Sequence, residues 1–182
     1  MKRTSFAGWP CSVARAVDLL GDWWTPLVLR DAMYGIRRFD DFERSLGVSR
    51  NVLSQRLGRL VDEGLLDKVA YQDRPPRYEY RLTDKGRDFF GVVAALIAWG
   101  DRWLAPDGPP VTLRHTTCGH VTTAQVTCSE CGEPLELREV RGELGPGYPK
   151  RFRAAAARDG RFGPIDGEID GEIDDPTEGE TA

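Results

Sequence analysis

The sequence predicts a mostly helical α+β fold, and three observations carry that reading. Before residue 64, four stretches show apolar residues at helical spacing, and glycine follows or ends each one (Gly21, Gly35, Gly47, Gly64). Two β-branched and aromatic runs, LLDKVAY and RYEYRL, then flank a QDRPP tip. Finally an apolar helical pattern runs from 84 to about 104.

Each element has its own signal. Val13, Ala16, Val17 and Leu20 repeat at helical spacing over Ser12–Leu20, and Gly21 ends that helix. Thr25 followed by Pro26, a hydroxyl cap and a proline suited to the first turn, starts a second helix carrying Leu27, Val28, Leu29 and Met33. A third begins near Arg38 or Phe39, includes Phe42 and Leu46, and closes at Gly47. Ser49 caps a fourth over 50–63. At 100° per residue Leu53, Leu57, Leu60 and Val61 share one face, while Asn51, Gln55 and Arg59 fall opposite. The two extended runs form a hairpin with an open, basic tip. Thr83 caps the long helix, whose broad apolar face holds Phe89, Phe90, Val93, Leu96, Ile97, Trp99 and Trp103.

Helix, turn, capped helix and basic-tipped hairpin together compose a winged helix-turn-helix. One helix has the size to enter a DNA major groove, and a β wing beside it can grip the backbone. A polar helix face alone is no more than a solvated surface, but few other folds need this succession of elements. On that face Asn51 and Gln55 carry the amides that pair bidentately with adenine, and Arg50 and Arg59 can reach guanine or phosphate. Ser54 can donate to phosphate, Arg37 and Arg38 before the third helix are further phosphate candidates, and Ser49 at the helix start joins the DNA-binding set. Arg74 and Arg77 bracket Pro75 and Pro76 in the wing, where proline restricts the loop the arginines stand on.

The net charge of −4 and pI near 5.3 look wrong for such a partner, but the charge is unevenly spread. Residues 1–104 hold 17 Lys and Arg against 14 Asp and Glu, whereas 162–182 hold eight acids and no base. Domain charge is what bears on DNA affinity.

Residues 105–110, APDGPP, read as a linker between a DNA-binding domain at 1–104 and a small module at 111–140. That module repeats one figure twice: His115 and Cys118 before Gly119, and Cys128 and Cys131 before Gly132. One imidazole and three thiolates at this spacing predict a structural Zn²⁺ in a zinc-ribbon-like unit, with His120 as a rival ligand to His115. Residues 141–182, basic and then acidic with the repeat IDGEIDGEID, are expected to be largely disordered, with at most a transient helix at 152–158.

Cys11 stands apart, at the start of the first helix. Unpaired N–H groups and the helix dipole there favour a thiolate, with Arg15 one turn on, although a small buried residue at a subunit contact is the plainer reading. No apolar run is long enough to span a membrane, and the first residues lack the apolar core of a signal peptide, so the expectation is a cytoplasmic protein. No nucleophile elbow, phosphate-binding loop or HExxH occurs, which argues against an enzyme. An interaction adaptor built on a zinc module and a winged helix without DNA affinity is the alternative.

The segments CSVARAVDLLGDWWTPLVLRD, GIRRFDDFERSLGVSRNVLSQRLGRLVDEGLL, PPRYEYRLTDKG and LIAWG together resemble the HxlR-type winged helix-turn-helix regulators of the MarR-like circle. That resemblance implies a homodimer on a near-palindromic operator, with the first and last helices of the region forming the interface. It implies repression by promoter occlusion. It also makes Cys11 a candidate redox sensor and a small molecule at the dimer contact a candidate effector.

Overall fold

The computed structural model describes residues 5–151 together with Arg153 and Ala156. The acidic tail, and most of the helix expected at 152–158, lie outside the described residues.

Helix α1 (Ser12–Leu20) starts where the Cys11 sulfur accepts a hydrogen bond from the Ala14 amide at 3.5 Å, and it stops at Gly21. Helix α2 (Trp24–Met33) begins one residue before the expected cap, because Asp22 does the capping in place of Thr25. Asp22 Oδ1 accepts from the Trp24 amide at 2.9 Å and the Thr25 amide at 3.2 Å, and Thr25 is buried in the first turn. Helices α3 (Phe39–Leu46) and α4 (Arg50–Asp62) meet at a tight turn. Gly47 supplies its left-handed residue at φ 62°, and the Ser49 hydroxyl accepts from the Val52 amide at 3.5 Å.

Strands β1 (Leu66–Asp73) and β2 (Pro76–Leu82) pair antiparallel, with Leu66 opposite Leu82 and Asp73 opposite Pro76. Only Arg74 and Pro75 remain at the tip, so the turn is shorter than the sequence suggests. The Tyr80 amide donates to the Arg37 carbonyl at 2.8 Å, and Arg38 bridges to Glu79, so the segment entering α3 adds a rung beside β2.

The long helix expected from 84 onward is divided into α5 (Asp84–Asp88) and α6 (Phe90–Trp103), jointed at Phe89. The bonds across the joint are stretched, at 3.3 Å from the Phe89 amide to the Lys85 carbonyl and from the Val93 amide to the Phe89 carbonyl. α5 is pinned to the end of α4. Thr83 Oγ1 accepts from the Gly86 amide and donates to the Gly64 carbonyl at 2.7 Å, and Lys85 Nζ donates to the Glu63 carbonyl at 2.7 Å.

The core lies where α2, α3 and α4 meet the root of the hairpin. Val28, Leu29, Phe42, Leu53, Leu57, Leu60, Leu65 and Leu66 are all at most 1% exposed. Two polar ties flank it. Arg59 Nη2 donates to the Asp18 carbonyl at 2.6 Å, and Arg56 pairs with Asp22.

Beyond α6 a short hairpin forms from β3 (Leu113–Arg114) and β4 (Val121–Thr122). Here the zinc expectation is corrected. Both expected turns do form: the Gly119 amide donates to the His115 carbonyl at 2.7 Å, and the Gly132 amide to the Cys128 carbonyl at 2.9 Å. The amides of Cys131 and Glu130 hold the Cys128 thiol below its ordinary range. Yet among the described residues no group of three or more His, Cys, Asp or Glu is placed to hold a metal ion. His115 and Cys118 contact each other at 3.4 Å and belong to the compact unit Met1–Val126, whereas Cys128 and Cys131 belong to the unit Thr127–Ala182. Residues 111–140 are therefore not a zinc-ribbon module. Local spacing sets each turn but does not assemble four ligands.

Gly86 shows how tightly α5 seats. A Cβ there would lie 2.1 Å from the Leu65 carbonyl oxygen, which also accepts from the Thr83 amide at 3.1 Å and cannot withdraw cheaply. Gly86→Ala is expected to destabilise the fold by about 1–3 kcal/mol, read as a lowered urea midpoint at unchanged m-value. A midpoint equal to that of the wild type would refute the packing described.

Candidate nucleic-acid interface

Because Leu53, Leu57 and Leu60 turn inward, α4 shows solvent the stripe Asn51, Ser54, Gln55 and Gly58, all exposed. Polar amides at the first two turns therefore stand free of the core. Arg59 departs from the expected position. It is half-buried on the flank facing α1, and its guanidinium is engaged with the Asp18 carbonyl, so it is not part of this stripe.

Arg50 opens α4 on the other flank. It pairs with Asp40 at 3.1 Å and with Glu43, and its guanidinium stacks over the Phe39 ring at 4.7 Å. The hydrogen bond to Asp40, and the charge of Glu43 behind it, raise the Arg50 pKa above its ordinary value despite some desolvation. Ser49 spends its hydroxyl on the helix cap while remaining exposed.

The first turn of α4, the start of α3 and the wing share one open cleft of about 460 Å³. Arg38, Arg44, Arg50, Lys68 and Arg77 line it, with Asp40 and Asp41 among them and Tyr71, Tyr78 and Tyr80 as its aromatic wall. Within it Arg38 stacks on Tyr71 at 4.8 Å and Lys68 on Tyr78 at 4.3 Å. Glu79 ties the wing to the segment before α3, reaching Arg81 at 3.1 Å and Arg38 at 3.5 Å. The Arg81 hydrogen bond, with Arg38 assisting, holds the Glu79 carboxyl below its ordinary range.

The structure thus brings Arg38, Arg50 and Arg77 to one cleft with residues that sequence reasoning missed, Arg44, Lys68, Tyr71 and Tyr78 among them. Strand alternation could have found Lys68 and Tyr78, since Lys68 pairs with Tyr80 and Tyr78 with Ala70 in the ladder. The register shift between Ala70 and Gln72 places Tyr71 where simple alternation would not. Arg37 is exposed and held through its backbone. Arg74 is exposed at the tip, where its carbonyl accepts from Gln72 Nε2 at 3.1 Å. Cys11 lies on α1, exposed in the single chain, and Arg15 is turned away to the Trp9 carbonyl at 2.8 Å.

Among the described residues no helix is long and apolar enough to cross a membrane. Exposed cations, uncharged amides on one helix stripe and a basic hairpin beside it fit a polyanion with readable edges. Comparison with known proteins agrees. The HxlR-like helix-turn-helix family matches residues 19–108. An uncharacterised HTH-type transcriptional regulator of Mycobacterium tuberculosis, Rv3095, is 46% identical over 145 residues, covering 79% of this chain and 92% of that protein. The likeness therefore extends past the helix-turn-helix region. Two solved structures share the architecture. That of PA1607, a candidate transcription factor, has a TM-score of 0.70 at 38% identity, covering 78% of this chain and 100% of the other. That of PA1374 from Pseudomonas aeruginosa, also a candidate transcription factor, has a TM-score of 0.57 at 38% identity, covering 80% and 99%. These relatives are all described as transcriptional regulators or transcription factors. The chain belongs to the HxlR-like helix-turn-helix family, whose winged domain is that of a DNA-binding transcriptional regulator.

Proposed function

We propose that this protein is a homodimeric repressor that binds a near-palindromic operator and occludes a promoter. The cleft shared by α4 and the wing is the observation that carries the reading. It joins a groove-sized helix to five cationic side chains in one surface. In this reading Asn51 and Gln55 contact base edges. Ser49, Arg50 and Ser54 flank them, Arg37, Arg38, Lys68 and Arg77 meet phosphates, and Arg74 reaches past the wing tip. Arg59 serves α1 instead.

The reading is tested by selecting DNA from a random pool and titrating the winning site. Asn51→Ala and Gln55→Ala are each expected to cost about 1–3 kcal/mol on that site and to relax preference at single positions. Arg77→Ala is expected to weaken all sequences alike and to reduce the slope of log K against log[salt] by about 1. No selected site, together with flat salt dependence, would sink the reading and leave an interaction adaptor in its place.

One recognition helix reads one half-site, so the proposal needs two chains. α6 supports this: Leu96, Trp99 and Trp103 are more than half exposed, as are Val13 and Val17 of α1. Covering them stabilises by roughly 25 cal/mol for each Å² of apolar surface removed from water. Sedimentation is expected to show twice the 20.3 kDa chain mass, and Leu96→Asp with Trp103→Asp to return the monomer and abolish tight operator binding. A wild type that stays monomeric at micromolar concentration would refute the dimer.

Cys11 is the proposed redox input, since its sulfur is exposed and caps α1, one of the two helices assigned to the dimer. Peroxide would convert the thiol to a sulfenic acid, its O–O bond breaking with release of water. Operator affinity is expected to fall after mild peroxide in the wild type and to hold in Cys11→Ser. Equal responses in the two proteins would dismiss the input.

A further inference from the structure

α6 is apolar on two opposite sides. At 100° per residue Leu96, Trp99 and Trp103 lie on one side, and Ala94, Ile97, Ala98 and Asp101 lie about half a turn away on the other. The first side is exposed and is the one assigned above to the dimer. The second forms one wall of an open cleft of about 290 Å³, faced by the β3–β4 hairpin and by Pro109 and Thr112. Ile97, Leu113 and Val121 supply hydrocarbon, and Thr123 adds a hydroxyl.

One group does not suit this wall. Asp101 lines the cleft and is half-buried, yet no hydrogen bond or ion pair engages its carboxylate among the described residues. Its carboxylate is partly exposed, so a cation seated in the cleft can meet it with a charge-assisted hydrogen bond. Small-molecule sites are built in this way, with mostly apolar walls and a few placed polar groups, and this volume sits at the lower end of their range.

We propose that this cleft is a binding site for a small amphiphilic amine. Its ammonium group pairs with Asp101 and its hydrocarbon body lies against Ile97, Leu113 and Val121. An anion would be repelled by Asp101. A neutral apolar molecule would strip water from the carboxylate and give nothing back. A metal ion would find one carboxylate and no second acid, imidazole or thiolate on the wall. Because the site lies on the opposite side of α6 from Trp99 and Trp103, the proposed dimer leaves it open, and an occupant would bear on the interface helix from behind. The site does not rest on the DNA reading.

The test is calorimetric titration of the full chain, without DNA, using 2-phenylethylamine and its uncharged counterpart 2-phenylethanol. The amine is expected to saturate, with the alcohol weaker by about tenfold or more, as a charge-assisted hydrogen bond predicts. Asp101→Asn should reduce the amine to the level of the alcohol, and Ala98→Leu, which fills the cleft, should weaken both. Far-UV circular dichroism and the thermal midpoint establish that both variants fold. Equal affinity for the two probes, an unchanged amine affinity in either folded variant, or no saturation by the amine at millimolar concentration would each overturn the proposal.

Discussion

Burial of Leu53, Leu57 and Leu60 on one side of α4 is the constraint on which the rest of this structure depends. Each is at most 1% exposed and packs with Val28, Leu29 and Phe42. A fully buried leucine contributes about 1.5–3 kcal/mol, so rotating α4 to show another face would forfeit most of the core. The opposite stripe, with Asn51, Ser54 and Gln55, is exposed for that reason alone. Both flanks are then locked by charge. Arg56 and Arg59 reach the α1–α2 junction, and Arg50 reaches Asp40 and Glu43 on α3. The wing inherits its place from the same core, since Leu65 and Leu66 are buried in it and Leu66 begins β1.

The parts of the fold that were legible in the sequence were those whose signals are local. The bounds of α1, α3 and the start of α4 followed from apolar spacing, Gly21, Gly47 and the Ser49 cap, each acting within one turn. Asp22 was missed as the cap of α2 because Thr25–Pro26 carries the stronger pattern, although Asp22 Oδ1 reaches both amides. The joint at Phe89 was illegible, because nothing in an unbroken apolar run reports that Thr83 and Lys85 anchor α5 to the end of α4. Arg59 shows the same limit. A wheel gives its angle but not that α1 lies within reach on that side. The pairing of the two Cys/His turns is the clearest case, since spacing within a turn is local while bringing two turns together is tertiary.

α6 carries a similar lesson for the site. In sequence its apolar residues read as one broad face, but the structure separates them into an exposed side at Leu96, Trp99 and Trp103 and a side that walls a cleft. Asp101 falls on the second side and would have passed for a solvated residue near a helix end. Only the β3–β4 hairpin across from it makes the position part of a cleft.

The acidic residues in the cleft bear on how such a surface would discriminate among DNA sequences. Arg50, Arg38 and Arg44 each have a carboxylate partner, in Asp40 and Glu43, Glu79, and Asp41 respectively. A phosphate that engages one of these arginines must displace a carboxylate or share with it. Such an exchange between exposed ion pairs nets little, because the pair being replaced was itself worth about 0–1 kcal/mol. Sequence-independent attraction, which rests on cations neutralising phosphate, is thereby held down. The amides of Asn51 and Gln55 have no charge to be compensated, so contacts they make with base edges keep their full value. An interface of this composition lowers non-specific binding more than specific binding, and the ratio of the two governs how a regulator finds one site among many. In that light the arginine–carboxylate pairs of α3 and the wing favour selectivity at the expense of raw affinity.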